Sequence, residues 1–201
     1  MPKVSYSDKE REYIRQSLLE TGLQFIAKQG VQHTTIEQIY KKVGISRTFF
    51  YTFFSSKEDL VVESLYFQQP KILEYITTLI NDNSLSWKEA LTTFLETCCY
   101  GNGIVVLTIE EQQMIFKRLS FESYALFRRK QEQLFEDILR YFGIKPSKER
   151  VQLFINLSLM LIIFQKAIPT SLPLLIPEAA KETADFQIKT IVNYLESMKQ
   201  Q

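Results

Sequence analysis

Apolar residues recur every three or four positions along most of this chain, and runs that alternate apolar with polar residues, as a half-buried strand would, are absent. Short breaks that carry Gly, Pro, Asn or Ser separate the segments with helical spacing. This pattern predicts an all-α protein of nine helices. The predicted helices cover residues 8–29, 35–43, 47–53, 56–80, 87–100, 104–118, 121–142, 147–167 and 178–199.

Two helix starts outside residues 34–60 carry a capping pattern. Ser7 with Glu10, and Ser86 with Glu89, have the spacing at which the Ser hydroxyl and the Glu carboxylate each accept a backbone N–H that the helix leaves unpaired. Pro70 lies inside the fourth helix and lacks a backbone N–H, so it predicts a kink or a split there.

One stretch near the N-terminus packs two short helices and the start of a third with almost no spare residues. Thr34 with Glu37 predicts a capping box, so a helix should start near Thr35. Gly44 ends that helix, because Gly adopts the left-handed conformation at little cost. Ser46 is placed to cap the second short helix. This spacing is typical of a helix-turn-helix, which presents its second helix to a DNA groove.

A second capping box, Ser55 with Glu58, predicts the start of the next helix and puts Lys57 in its first turn. A cation opposes the helix dipole at that position, so a phosphate contact explains this Lys better. Phe50 and Phe54 are expected to pack against the first helix of the chain rather than to contact DNA.

At these residues the chain resembles the DNA-binding domain of the tetracycline-repressor (TetR) family of bacterial regulators. Residues 34–60 read TTIEQIYKKVGISRTFFYTFFSSKEDL, in which Thr-Thr-Ile, the Gly-Ile-Ser turn and the run Phe-Ser-Ser-Lys-Glu-Asp-Leu match the family pattern. The resemblance covers about the first 60 residues. It implies a helix-turn-helix DNA-binding domain at 1–55 and a ligand-binding and dimerisation domain at 56–201.

The chain departs from the family pattern at several positions of the motif. Tyr40 stands where the family usually has Ala. Thr48 and Phe49 stand where it tends to have a small residue and then Thr, and Phe53 stands where His or Tyr is frequent. These changes alter which groups reach bases and phosphates, so the operator sequences of relatives do not carry over.

The spacing and the resemblance together predict which residues contact DNA. Residues 1–60 carry 9 Lys and Arg against 7 Asp and Glu, and residues 61–201 carry 15 against 16, so individual cations must supply the phosphate contacts. The predicted DNA-binding residues are Thr35, Lys42, Ser46, Arg47, Thr48, Phe49, Tyr51, Thr52 and Lys57.

TetR-like proteins bind a small effector among their C-terminal helices, and this chain is rich in aromatic residues there. The resemblance therefore implies a pocket for a small, largely apolar molecule, with a few polar side chains that orient it. For most of these aromatic residues an ordinary core position is the alternative. The predicted pocket residues are Phe67, Tyr75, Phe94, Cys98, Gln112, Phe116, Tyr124 and Asn156.

The last two helices of TetR-like proteins pair with their copies in a four-helix bundle. Here the eighth helix is apolar over most of its circumference, which favours a homodimer over a monomer that buries the whole helix. A homodimer would hold two recognition helices about one DNA turn, or roughly 34 Å, apart on a near-palindromic site. The predicted interface residues are Leu153, Leu157, Met160, Leu161, Phe164, Ile188, Ile191 and Leu195.

These features predict a ligand-responsive transcriptional regulator, a repressor that a small molecule releases from double-stranded operator DNA. The alternative is an interaction protein, coactivator-like or of the cell-division type, that keeps the fold but binds a protein partner. An enzyme is not expected, because the chain offers no Ser-His-Asp set, Cys-His pair or phosphate-cradling Gly loop.

No cofactor or metal is expected, since His33 is the one histidine and has no ligand at a metal-binding spacing. Cys98 and Cys99 form no disulfide framework, and whether they sense thiol-reactive compounds stays open. The chain starts with no secretory signal and has no apolar run near the roughly 20 residues of a membrane span. A cytoplasmic protein without a membrane partner is therefore expected.

Overall fold

The structure, a computed structural model, describes residues 6–100, 103–162 and 176–199. Within these residues the chain forms nine α-helices, one 3-10 turn and no strand, which confirms the predicted all-α fold. The helices are α1 Asp8–His33, α2 Ile36–Val43, α3 Arg47–Phe50, α4 Lys57–Asn81, α5 Trp87–Tyr100, α6 Ile109–Phe116, α7 Phe121–Tyr141, α8 Lys148–Ile162 and α9 Ala180–Lys199, with the 3-10 turn at Pro177–Ala179.

The first helix, α1, begins as predicted. Ser7 Oγ accepts a hydrogen bond from the backbone N–H of Glu10 (3.3 Å), and the Glu10 carboxylate accepts one from the N–H of Ser7 (2.8 Å). Gly30 interrupts α1 near its end with φ 74° and ψ 168°, a combination that is essentially restricted to glycine. The predicted end at residue 29 therefore coincides with a kink, and a last turn continues to His33.

Both helix caps of the motif lie one residue later than predicted. Thr35 caps α2 by accepting a bond from the backbone N–H three residues on (3.2 Å). Thr34, the predicted cap, is buried and donates its hydroxyl to the carbonyl of Gly30 (2.7 Å). Ser56 caps α4 in the same way (3.0 Å), while Ser55 bonds to a carboxylate within α4. In each pair of adjacent hydroxyl residues, the first has another partner and the second caps.

The fourth helix, α4, continues unbroken through Pro70 to Asn81, so the predicted split is wrong, and a kink at Pro70 stays a prediction. The missing N–H removes one helical hydrogen bond, but the turns that follow are held by packing, since Ile72 and Ile76 are buried. The helices α3 and α6 are shorter than predicted, whereas α5, α7 and α9 lie within two residues of their predicted bounds. The predicted end of α8 at residue 167 lies outside the described residues.

The core residues that the structure describes form three clusters, which follow each other along α4. The N-terminal cluster joins α1, α2 and α3, the junction cluster joins α1 to α6, and the C-terminal cluster joins α5, α7, α8 and α9. Packing along α4 thus links the motif to the C-terminal helices, and the domain boundary at residue 55 stays a prediction. The α4 residue in the N-terminal cluster is Leu60. Those in the junction cluster are Val61, Val62 and Leu65, and those in the C-terminal cluster are Ile72, Ile76 and Leu79.

Among the described helices, none combines the length and the apolar character that crossing a membrane requires.

We expect Gly30→Ala to destabilise the protein more than Gly44→Ala. Both glycines have positive φ (74° and 80°), but a Cβ on Gly30 would lie 2.9 Å from Glu111 Oε1, whereas nothing lies within 4 Å of one on Gly44. The backbone region of Gly30 costs another residue about 1–3 kcal/mol, and the left-handed helical region of Gly44 costs about 1–2 kcal/mol. Urea unfolding measures the free energy of unfolding of both variants. Equal losses would show that neither the Glu111 contact nor the unusual backbone of Gly30 adds strain.

Candidate DNA interface and internal cavity

The helices α2 and α3 meet at a tight turn around Gly44. Gly44 has φ 80° and ψ 27°, and the N–H groups of Gly44 and Ile45 both donate to the carbonyl of Tyr40 (3.0 Å each). Ser46 Oγ accepts a bond from the backbone N–H of Phe49 (3.1 Å) and so starts α3, as predicted. These local bonds set the direction in which α3 leaves α2.

One side of α3 and of the turn that follows it faces solvent, and the opposite side packs against α1. Phe50 and Phe54 are buried in the N-terminal cluster with residues of α1, which confirms their predicted packing role. The solvent side offers hydrogen-bond donors and acceptors together with apolar surface, the combination that reads base edges in a major groove. It carries Arg47, Thr48, Tyr51 and Thr52, here called the exposed arc.

Phe49 and Phe53 are half-buried at one border of the exposed arc. Tyr6 stacks on Phe49 with ring centroids 4.6 Å apart, and Phe49 meets Phe53 edge-on at 5.1 Å. The guanidinium of Arg11 lies 5.5 Å from the Phe49 centroid and 4.9 Å from the Phe53 centroid. Phe49, a predicted DNA contact, therefore has its ring partly covered by Tyr6 and by the start of α1.

The other predicted DNA contacts flank α3. Thr35 and Lys42 are exposed at the two ends of α2, and Ser46 is exposed at the start of α3. Lys57, in the first turn of α4, is half-buried. Burial lowers the pKa of Lys57 below its usual range, and the nearby cation Arg118 lowers it further. These positions are compatible with a DNA contact, which stays a prediction.

Two contacts, here called the α6 clamp, tie α6 to α1 and α4. At the start of α6, Glu111 Oε1 accepts a bond from the N–H of Val31 in α1 (2.6 Å), and Glu111 Oε2 accepts one from the N–H of Thr108 (2.8 Å). Just beyond the end of α6, Arg118 forms an ion pair with Glu58 of α4 (2.7 Å). The Glu58 side chain is only 11% exposed, so water screens this pair less than a surface pair.

The sequence analysis missed the α6 clamp because its partners lie 80 and 60 positions apart. One signal was available: Thr108 and Glu111 have capping-box spacing and form that box in the structure. It could have shown that α6 starts at Ile109 rather than near residue 104. No local pattern indicates that the same carboxylate also binds the backbone of α1.

An open cavity of about 630 Å³ lies among α4, α5, α6, α7 and α8 and the segment 104–107. Its deeper wall consists largely of buried apolar side chains such as Leu134, Ile138 and Leu161. Six of the eight predicted pocket residues line it, namely Phe94, Cys98, Gln112, Phe116, Tyr124 and Asn156.

The other two predicted pocket residues, Phe67 and Tyr75, do not line the cavity. Phe67 packs against the N-terminal cluster, with the Lys71 ammonium 5.1 Å from its ring centroid. Tyr75 packs against the C-terminal cluster and shares a hydrogen bond with the hydroxyl of Thr97 (2.9 Å). Phe67 lies on a different face of α4 from the cavity-lining residues, whereas Tyr75 lies two turns beyond Gln68, past the part of α4 that lines the cavity. Aromatic content alone does not reveal either distinction.

The polar groups of the cavity wall differ in how they are paired. Gln68 donates to the carbonyl of Val105 (2.8 Å) and accepts from its N–H (3.0 Å), so this amide fastens segment 104–107 to α4. Ser158 is buried, and its Oγ has no hydrogen-bond partner among the described residues. Among the described residues, the charged lining side chains are Arg128 and Glu132, which lie 3.7 Å apart. The cavity is therefore mostly apolar, with its two charges paired.

Half of the predicted dimer-interface residues are buried within the chain itself. These four side chains are at most 3% exposed and form part of the C-terminal cluster, so they are not available to a second chain. The prediction failed for them because an apolar stripe looks the same whether it faces its own core or a partner. The four residues are Leu161, Ile188, Ile191 and Leu195.

The remaining interface residues on α8 lie on its outer side. Leu153 and Met160 are 39% and 49% exposed, and Leu157 is half-buried between them. On α9, Phe186 and Tyr194 are 70% and 40% exposed, although neither was predicted to belong to the interface. We call these five residues the outer face of α8 and α9. Phe164, also predicted, lies outside the described residues.

Residues 18–63 match the family described as bacterial regulatory proteins, tetR family. A TetR-family transcriptional regulator from Mesorhizobium loti is 13% identical over 92% of this chain and 97% of its own, with a TM-score of 0.53. A TetR-family regulator from Pectobacterium atrosepticum is 15% identical over 95% of this chain and 94% of its own, with a TM-score of 0.50. At these identities the likeness shows the fold. No curated protein matches the chain by sequence.

The chain thus combines a helix-turn-helix near its start with the all-helical fold of TetR-family regulators. Residues 18–63 match the TetR family, as the N-terminal sequence indicated. Regulators of this family are DNA-binding transcription factors and not enzymes, which agrees with the prediction from the missing catalytic sets.

Proposed function

We propose that this chain is a ligand-responsive repressor, which binds a near-palindromic operator as a homodimer and leaves it when a small, largely apolar molecule enters the cavity. The observation that carries the proposal is the position of α6. Gln112 and Phe116 of α6 line the cavity, while Glu111 and Arg118 hold α1 and α4 through the α6 clamp. One short helix therefore contacts both the cavity and the two helices that support the motif.

This arrangement supports a coupling between the two sites. A ligand that binds most tightly when α6 is displaced shifts the protein toward that conformation. Displacement of α6 moves α1 or α4 through the α6 clamp, so operator affinity falls according to the ligand's preference for the displaced conformation. Segment 104–107 would stay with α4 when α6 moves, because Gln68 holds it against α4 through Val105. The cavity volume and its mostly apolar wall suit a molecule of ordinary small-ligand size.

In the proposed complex, α3 enters the major groove. Arg47 and Thr48 of the exposed arc would contact base edges, and Tyr51, Thr52 and Lys57 would contact the phosphate backbone. The hydroxyl and ammonium groups at the ends of α2 and at the start of α3 would add backbone contacts; these residues are Thr35, Lys42 and Ser46. A regulator that acts on chromosomal DNA in this way works in the bacterial cytoplasm.

The homodimer would form through the outer face of α8 and α9. An exposed apolar patch of this kind on a folded chain favours an interaction surface, and members of the family act as dimers. Leu153, Met160 and Phe186 would then be buried between the two chains. The buried stripes of the same helices hold each chain together.

We expect the full chain to select an inverted repeat from a random pool of duplex DNA, with half-site centres about one helical turn, or roughly 34 Å, apart. Arg47→Ala should change which bases are preferred, because base edges carry sequence information. Tyr51→Phe should weaken binding to all selected sequences alike. Sequencing of the bound fraction measures both effects. A chain that enriches no sequence would contradict the repressor and favour a protein partner instead.

We expect Met160→Asp to yield a folded monomer that binds the operator weakly, because the new carboxylate lies on the outer face of α8. Leu161→Asp, one residue away, is the matched control. It buries an unpaired carboxylate in the core, which costs several kcal/mol, so this variant should unfold. Sedimentation gives the mass and circular dichroism gives the helix content. A Met160→Asp variant that stayed dimeric would place the interface elsewhere.

A further inference from the structure

Arg11, in the first turns of α1, lies against the recognition helix. Its guanidinium lies over the rings of Phe49 and Phe53, at 5.5 Å and 4.9 Å from their centroids. Aromatic faces attract a cation and hold a planar guanidinium in a defined orientation. Tyr6, stacked on Phe49, extends the same platform. The side chain of Arg11 is thus positioned by α3 although it belongs to α1.

A second arginine of α1 shows what distinguishes Arg11. Arg15, one turn further along, also lies over a phenylalanine of the motif, 5.7 Å from the centroid of Phe54. Its guanidinium forms an ion pair with Glu63 of α4 at 2.8 Å. Within the part of the chain that the structure describes, no carboxylate lies within ion-pair distance of Arg11. Arg15 is therefore neutralised inside the protein, whereas the charge of Arg11 is not.

Arg11 also lies beside the exposed arc. Phe49 and Phe53 are one helical turn apart and directly follow Thr48 and Thr52 in the chain, so they border the exposed arc on the side of these two threonines. A cation fixed on that border lies beside the surface that the proposed function presents to DNA. Double-stranded DNA places phosphates along both edges of the major groove, so an unpaired cation beside a groove-reading helix faces them.

We propose that Arg11 is a DNA phosphate contact, held in position by the aromatic platform of Tyr6, Phe49 and Phe53. The inference rests on the proposed DNA binding and adds a residue outside the helix-turn-helix to it. It also gives Phe49 a different role from the predicted one: Phe49 positions Arg11 rather than contacting DNA itself. The family pattern has a smaller polar residue at this position, so the platform is a property of this chain.

The test compares Arg11→Gln with Arg15→Gln in the full chain. Both variants remove one positive charge from α1, so their effect on the long-range field is the same. The measurement is the affinity for a selected duplex at salt concentrations from 50 to 300 mM, by fluorescence anisotropy. Each lost phosphate contact lowers the slope of log affinity against log salt by about 0.9, or by about 1.8 for the two copies in a dimer.

Arg11→Gln should show that smaller slope and a loss of affinity at low salt, with the same base preferences as the wild type. Arg15→Gln should keep the wild-type slope. Arg11→Lys should restore most of the slope, because it keeps the charge, and Phe49→Leu should weaken binding, because it removes the platform. Thermal unfolding shows whether each variant is folded.

The inference is overturned if Arg11→Gln keeps the full slope of log affinity against log salt. It is also overturned if Arg15→Gln lowers that slope as much as Arg11→Gln does, since the effect would then be one of net charge. These results leave the proposed function intact. A wild-type chain that binds no duplex at all would instead overturn the proposed DNA binding, and the role of Arg11 with it.

Discussion

The ion pair between Glu58 and Arg118 is the contact that joins the end of α6 to the start of α4, in addition to the packing along α4. Glu58 is the second residue of α4, directly after the helix-turn-helix, and its carboxylate is largely buried. Removing Arg118 would leave the Glu58 carboxylate without a counter-ion in a poorly solvated environment. This costs far more free energy than the loss of a surface ion pair. The pair therefore holds the end of α6 against the start of α4.

The contact at the other end of α6 works through the backbone. Glu111 caps its own helix and also accepts the N–H of Val31, the first residue after the kink at Gly30. The last turn of α1 is thus oriented by a side chain from the helix that forms part of the cavity wall. A displacement of α6 cannot leave both α1 and α4 in place unless these bonds break.

Much of this architecture could be predicted from the sequence, because helical periodicity and caps are local. The starts of α1 and α5 and the turn at Gly44 lie where their residues indicated. The predictions failed where the choice depends on distant residues. Thr34 and Thr35 are equally good caps in isolation, and only the carbonyl of Gly30, which binds Thr34, decides between them.

The site could be predicted less completely for the same reason. The exposed arc of α3 follows from the spacing of its buried phenylalanines, but the cover over Phe49 comes from Tyr6 and Arg11, which are about 40 positions away. On α8 and α9, apolar content could not distinguish the stripe that packs inside the chain from the outer face. The cover over Phe49 and the division of α8 and α9 into inner and outer faces both depend on tertiary contacts, which the sequence pattern of one helix does not reveal.

Operator affinity in a double-mutant cycle of Glu58 and Arg118 tests the central claim most directly. The account predicts that Glu58→Gln and Arg118→Gln each lower operator affinity by about fivefold or more, and that the double variant is little worse than either single one, because all three lose the same contact. Arg140→Gln, which breaks a pair within α7, should leave affinity unchanged. Wild-type affinity in Arg118→Gln, with the fold intact, would contradict the claim that α6 positions the DNA-binding helices.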